Sequence, residues 1–232
     1  MDQVVLTPYE SLSEFGDFAA VFDALDKTIQ PTAFVVVNNS EKAIVGIALV
    51  WTSTAKQSNK HTMTSLTHSY LSARGAPLVI AHGRVFVAPD VFVPDAVMKG
   101  GGGLIGMLPT QQTLERFGSS SVISVEVDSI VFADGEVVGP NQLGLTTSII
   151  VRSKAAELVV GSLRSAQRRG EDTAPVLDRL SRPLPGVDDS VSRQAVRLAI
   201  QLQNSRHFVA ELRYLEETPT PPKFYRTDGS QP

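Results

Sequence analysis

The sequence predicts an α+β protein: an antiparallel β-sandwich of immunoglobulin-like architecture followed by an α-helical C-terminal region. Two observations carry this. The first ~140 residues fall into short runs that alternate apolar and polar residues between Gly, Pro, Asn and Asp, the mark of half-buried strands. After residue ~143 the apolar period lengthens to three and four, the mark of an amphipathic helix. With no cysteine in the chain, the immunoglobulin label describes architecture only, because the inter-sheet disulfide is missing. The expected organisation is a sandwich domain at 1–142, a helical region at 143–216 and a Pro-rich tail at 217–232, extended or disordered.

In chain order, "FGDFAAVFDALDK" (15–27) spaces Phe18, Val21, Phe22 and Leu25 for a short helix. "AFVVV" (33–37) and "AIVGIALVWT" (43–52) flank "NNSEK", a connection of hairpin length. Val45, Ile47, Leu49 and Trp51 share one strand face, with Trp51 as a core anchor. "HTMTSLTHSYL" (61–71) reads as an edge or half-exposed strand, and "LVIAHGRVFVAPDVFV" (78–93) as two or three strands broken at His82-Gly83 and Pro89-Asp90. "SSVISVEVDSIVF" (120–132) leads into Asp134-Gly135, which predicts a two-residue type I′ hairpin turn.

In the second half, Ile149, Ala156, Val159, Val160, Leu163 and Ala166 form one helical face, stopped by Gly170. "TAPVLDRL" (173–180) is a short helix capped by Thr173. Residues 189–215 predict one continuous helix. Its seam, Val191, Ala195, Leu198, Leu202, Ser205, Val209 and Leu212, steps by four and three and can pack internally or mediate self-association.

Composition removes several functions. The chain has 232 residues, 42% hydrophobic and 19% charged, enough for a core and too few charges for disorder. Absence of cysteine excludes thiolate nucleophiles and cysteine-ligated metals. Residues 1–150 carry 8 basic against 14 acidic residues, and residues 151–232 carry 13 against 10. That balance, with few aromatics, argues against nucleic acid. No apolar stretch reaches the ~20 residues of a membrane span. The start, Met1-Asp2-Gln3, has no signal-peptide pattern, so the compartment stays open between cytoplasm and an exported mature form.

Motifs that resemble chemistry fit structural roles better. Gly101, Gly103 and Gly106 spell G-x-G-x-x-G with Glu126 twenty residues on, but Pro94 precedes them and Pro109 follows, where a dinucleotide fold needs a strand and a helix. His61, His68, His82 and His207 lack metal spacing. Asp128, Asp134 and Asn141 are too dispersed for a calcium loop and read as turn residues. Arg164, Arg168 and Arg169 read as a solvated helix end. No residue is therefore assigned a catalytic, cofactor-binding or metal-binding role, and no cofactor is expected. The predicted function is a non-catalytic binding or assembly module with a protein partner or a second copy. The alternative is a hydrolase or small-ligand binder near the Gly100–Gly106 loop, with a Ser/His/Asp group assembled in space.

"FVVVNNSEKAIVGIALVW", followed by "VDSIVFADGEVVGPN" and an amphipathic helix, resembles a group of uncharacterised bacterial proteins. The resemblance spans residues 33–170. It implies a sandwich with helices and an exported protein, and it carries over no catalytic residue.

Overall fold

The structure is a computed structural model, and it describes residues 4–8, 16–55, 60–68, 77–94, 109–117, 120–217 and 220–227. The chain divides into two compact units. The first is built from the chain up to Thr67, Pro77–Leu145 and the segment from Phe224. The second takes in His68 and Thr146–Lys223.

The first unit holds two four-stranded antiparallel sheets. Strands β1 (Val4–Pro8), β2 (Phe34–Asn38), β5 (Arg84–Ala88) and β6 (Val91–Pro94) form one, in the order β1-β2-β5-β6. The other has the order β4-β3-β7-β8, from β3 (Ile44–Ala55), β4 (Lys60–His68), β7 (Ser120–Phe132) and β8 (Val137–Val138). The α+β class expected from the sequence is therefore present. One apolar cluster draws Val35, Phe86 and Val87 from the first sheet and Ile47, Trp51 and Ile130 from the second. Helix α1 (Ala19–Ala24) adds Val21 and Phe22 to it, and α2 (Gln111–Phe117) adds Phe117. Trp51 is 1% exposed and donates Nε1–H to the Thr32 carbonyl at 3.3 Å, so its polar edge is satisfied inside the core.

"NNSEK" is a correction. It does not close a hairpin but carries the chain from one sheet to the other, since β2 pairs with β1 and β5 while β3 pairs with β7 and β4. The buried side chain of Asn38 explains how. Its Nδ2 donates to the carbonyls of Lys42 and Ile80, and its Oδ1 accepts from the Ser40 amide and hydroxyl. Those bonds supply partners to backbone groups that a ladder would otherwise have engaged.

The Asp134-Gly135 turn differs too. Val131 faces Val137, Gly135 N donates to Phe132 O, and only Gly135 of the loop has positive φ, at 96°. This is a three-residue loop ending in a left-handed glycine, and type I′ would need positive φ at two positions. By contrast, Pro89-Asp90 closes β5–β6 as a two-residue turn, with Asp90 at φ 62°.

The second unit is helical: α3 (Leu145–Arg168), α4 (Thr173–Leu180), α5 (Asp189–Asn204) and α6 (Phe208–Glu216). Gly170, at φ 70°, ends α3. Glu171 N donates to Ala166 O and Gly170 N to Gln167 O, the paired bonds of a Schellman stop. Asp172, not Thr173, caps α4 by accepting from the Ala174 amide, and Asp188 caps α5 through the Ser190 and Val191 amides. Ala156, Val159, Leu163, Leu177, Leu198 and Leu202 meet in this unit's own core.

The single helix expected over 189–215 is two helices, broken at 205–207. Ser205 is extended at ψ 128°, and its hydroxyl accepts from the His207 amide and donates to Glu211. A serine that bonds its neighbours' backbone competes with helix continuation. The break lets Leu212 and Leu215 fold back into the core that Leu198 and Leu202 occupy, while Val209 turns out.

Candidate functional site

The acceptors around the hairpin divide into two groups. The register of β7 slips between Ala48↔Ser129 and Leu49↔Val127, leaving Asp128 as the extra residue of a β-bulge. The bulge re-aims the carboxylate inward, where it is 7% exposed. Its Oδ1 accepts from the Gln142 amide, and its Oδ2 from the Leu143 amide and the Ser129 hydroxyl. Asn141 N approaches the Asp128 carbonyl at 3.4 Å, and Asn141 sits at φ 55°. Asp128 and Asn141 thus shape the turn that feeds α3. Strict alternation in sequence hid the bulge.

Asp134 belongs elsewhere. Lys42 Nζ lies 2.6 Å from Asp134 Oδ2 and 2.8 Å from Glu136 Oε2, and Tyr225 donates its hydroxyl to Asp134 Oδ2 at 3.0 Å. Burial works to raise the Asp134 pKa, but hydrogen bonds from Lys42, the Glu136 amide and Tyr225 outweigh it, and the carboxyl titrates below its ordinary range. The bonds to Asp134 and Glu136 raise Lys42, and the bond to Asp134 raises Tyr225. Tyr225 also bridges to the hairpin through backbone: its amide donates to Gly135 O, and its carbonyl accepts from Val137 N. The chain around Tyr225 is anchored here by an isolated bridge to Glu136.

The histidines separate. The side chain of His61 and the Gly100–Gly106 loop, with Gly101, Gly103 and Gly106, lie outside the described residues. Glu126 is exposed on β7. His82 is exposed and pairs with Glu41 at 3.1 Å. His207 opens α6.

Among the described residues, it is the ring of His68 that meets a serine hydroxyl. Its Nε2 is 3.2 Å from Ser148 Oγ, a pairing across 80 residues that no spacing rule could find. Burial first, then the charge of Arg152, lowers the His68 pKa to about 4, so the ring is neutral at pH 7. A neutral imidazole beside a hydroxyl is the starting pair for a general base and nucleophile. Yet His68 is 1% exposed, and a reacting carbonyl needs room about 3 Å from the nucleophile. Arg152, lowered by burial to about 10, lines a cavity of about 190 Å³ with Gln201, Glu211 and Tyr214.

The arginine cluster also resolves. Arg164 pairs with Glu216 at 3.0 Å and Arg169 with Glu171 at 2.5 Å, so two of the three guanidiniums are already neutralised. Among the described residues no group of three His, Cys, Asp or Glu could hold a metal ion, and no helix is long and apolar enough to cross a membrane.

One concavity of the second unit lies along α6. Arg206, Val209, Arg213, Tyr214 and Glu217 line a groove of about 700 Å³, and Val209 is 78% exposed. Comparison with protein-family models, with curated proteins and with solved structures finds no match.

Proposed function

We propose that the chain is a non-catalytic binding or assembly module, with its working surface on α6. The observation that carries this reading is the groove around Val209. An aliphatic side chain 78% exposed, in a groove lined also by Tyr214, Arg206 and the Arg213–Glu217 ion pair, has the composition of an interface centre with a charged rim. The polar groups that looked like chemistry in the sequence are occupied otherwise. Asp128 holds a turn, Asp134 and Glu136 hold Lys42, and Arg164 and Arg169 hold carboxylates.

We further propose that the first unit is an immunoglobulin-like sandwich acting as the rigid body of this module. Support comes from the strand order. The first, second and fifth strands share one sheet, and the third and last two share the other, as in that architecture, with β6 as an added hairpin strand. A shared architecture supplies no function by itself.

The His68–Ser148 pair favours a second reading, a buried hydrolase site. Two measurements separate the two. A fluorophosphonate probe is expected to leave Ser148 unlabelled, and labelling at that residue would establish the hydrolase and end the module reading. A thermal-shift panel of metals, nucleotides, sugars and small acids is expected to be flat. A ligand at 100 times its dissociation constant adds about 2.7 kcal/mol, a shift of roughly 5–10 °C at this size, and a saturable shift of that kind would replace the protein partner with a small molecule.

A further inference from the structure

We propose that the cavity lined by α3, α5 and α6 binds a small aliphatic amino acid as its zwitterion. The inference goes beyond the docking surface proposed above and concerns a separate site. Among the described residues, the cavity shares one lining residue, Tyr214, with the outer groove of α6.

The helix break at Ser205 builds the site. Leu198, Gln201 and Leu202 share one face of α5, and Glu211, Tyr214 and Leu215 share one face of α6, each set at three- and four-residue spacing. Arg152 joins the lining from α3. Three features set the chemistry. Leu198, Leu202 and Leu215 are buried and form an apolar wall. Arg152 is 8% exposed, and its planar guanidinium has five N–H donors in a fork that matches a carboxylate. Glu211 supplies the opposite charge. It accepts from the Ser205 hydroxyl at 2.6 Å and from the side-chain amide of Gln201 at 3.3 Å. Both donors are neutral, so these bonds orient the carboxylate and leave its charge in place. An ionised carboxylate has about four acceptor sites, and two bonds do not exhaust them.

Size and charge together select the ligand. A volume of about 190 Å³ is the share of roughly six water molecules in the liquid, well below the ~300 Å³ at which drug-sized pockets begin. A simple carboxylate would meet Glu211, and a simple amine would meet Arg152, like charge against like. A zwitterion offers its carboxylate to Arg152 and its ammonium to Glu211, and a short aliphatic side chain packs on the leucines. That selection excludes the metals, nucleotides, sugars and simple acids of the thermal-shift panel. Burial lowers Arg152 to about 10, so a carboxylate bound there favours a charged form that the fold by itself disfavours.

Isothermal titration calorimetry on the full chain with L-alanine and L-valine tests the site. Isovalerate and isobutylamine serve as valine analogues that lack the ammonium and the carboxylate in turn. The expected result is saturable one-site binding of at least one amino acid with a Kd of about 1 mM or tighter, and binding of either analogue at least tenfold weaker. Glu211→Gln keeps the side-chain volume and should weaken the amino acid at least tenfold while leaving isovalerate no weaker. Gln201 is the exposed residue of the lining, and Gln201→Trp should block entry. Unchanged circular dichroism and melting in both variants would show that the fold is retained. His68 reports on the site, because burial first and then the charge of Arg152 set its pKa. Its ring signals in NMR should move with the same saturation curve. Absence of binding by both amino acids, an analogue that binds as tightly as its parent, or His68 signals that stay fixed while the amino acid binds would each overturn the proposal.

Discussion

The main-chain oxygen of Asp128 lies so close to Gly139 that a β-carbon there would stand 2.3 Å from it. Gly139 also sits at φ 98°, so two independent causes require glycine: the left-handed backbone and the approach of the bulged strand. Gly139→Ala is expected to destabilise the first unit by at least about 2 kcal/mol, since neither backbone can yield cheaply. Urea denaturation measures this, and a loss under about 0.5 kcal/mol would show that the turn relaxes freely.

Asp128→Ala tests the other side of that contact. It strips the Gln142 and Leu143 amides of their acceptor. The expected cost is about 2–3 kcal/mol, the penalty for leaving partly buried donors unmade. Asp128→Asn, which keeps an oxygen, should cost less. Equal losses in the two variants would point to charge in place of hydrogen bonding.

Gly161 makes the opposite case. It lies inside α3, where a β-carbon added to it would meet nothing within 4 Å, and its φ is not positive. Gly161→Ala should therefore stabilise the helical unit by about 0.5–1 kcal/mol through helix propensity alone. A lower melting temperature would reveal a neighbour that the side chain disturbs.

His68 makes stability depend on acid. Its folded pKa of about 4 lies below the unfolded value of 6.5. Between those values the unfolded chain binds the additional proton, so the stability is whole above about pH 6.5 and falls as pH drops towards 4. The loss amounts to about 3 kcal/mol across that window. His68→Gln should flatten this part of the stability–pH curve in denaturant melts. A wild-type curve that is already flat from pH 6.5 to 4 would contradict the buried neutral ring.

Lys42 couples the hairpin to the tail. Lys42→Met leaves Asp134 and Glu136 facing each other without their cation. The carboxyl of Asp134 should then titrate higher, and the tail near Tyr225 should be cut faster in limited proteolysis, because the Tyr225 hydroxyl depends on the same carboxylate. Unchanged cleavage would show that the backbone bridge from Gly135 and Val137 to Tyr225 is sufficient by itself.

What the sequence determined was local and periodic. Alternation located β7 at Ser120–Phe132, three-and-four spacing located the buried face of α3, Gly170 marked its stop, and Trp51 marked the core. Each follows from residues that are neighbours in the chain or on one face of one element. Tertiary structure decided what depends on distant partners. "NNSEK" became a crossover because β2 and β3 found different neighbours, and Asp128 turned inward because β7 slipped against β3. The seam broke at Ser205, and Leu212 and Leu215 joined the core that Leu198 and Leu202 occupy. His68 met Ser148 across 80 residues. Periodicity along a chain cannot encode which strand lies beside which. That choice is made by burial and by hydrogen-bond satisfaction over the whole fold, and it left Val209 outside, facing solvent.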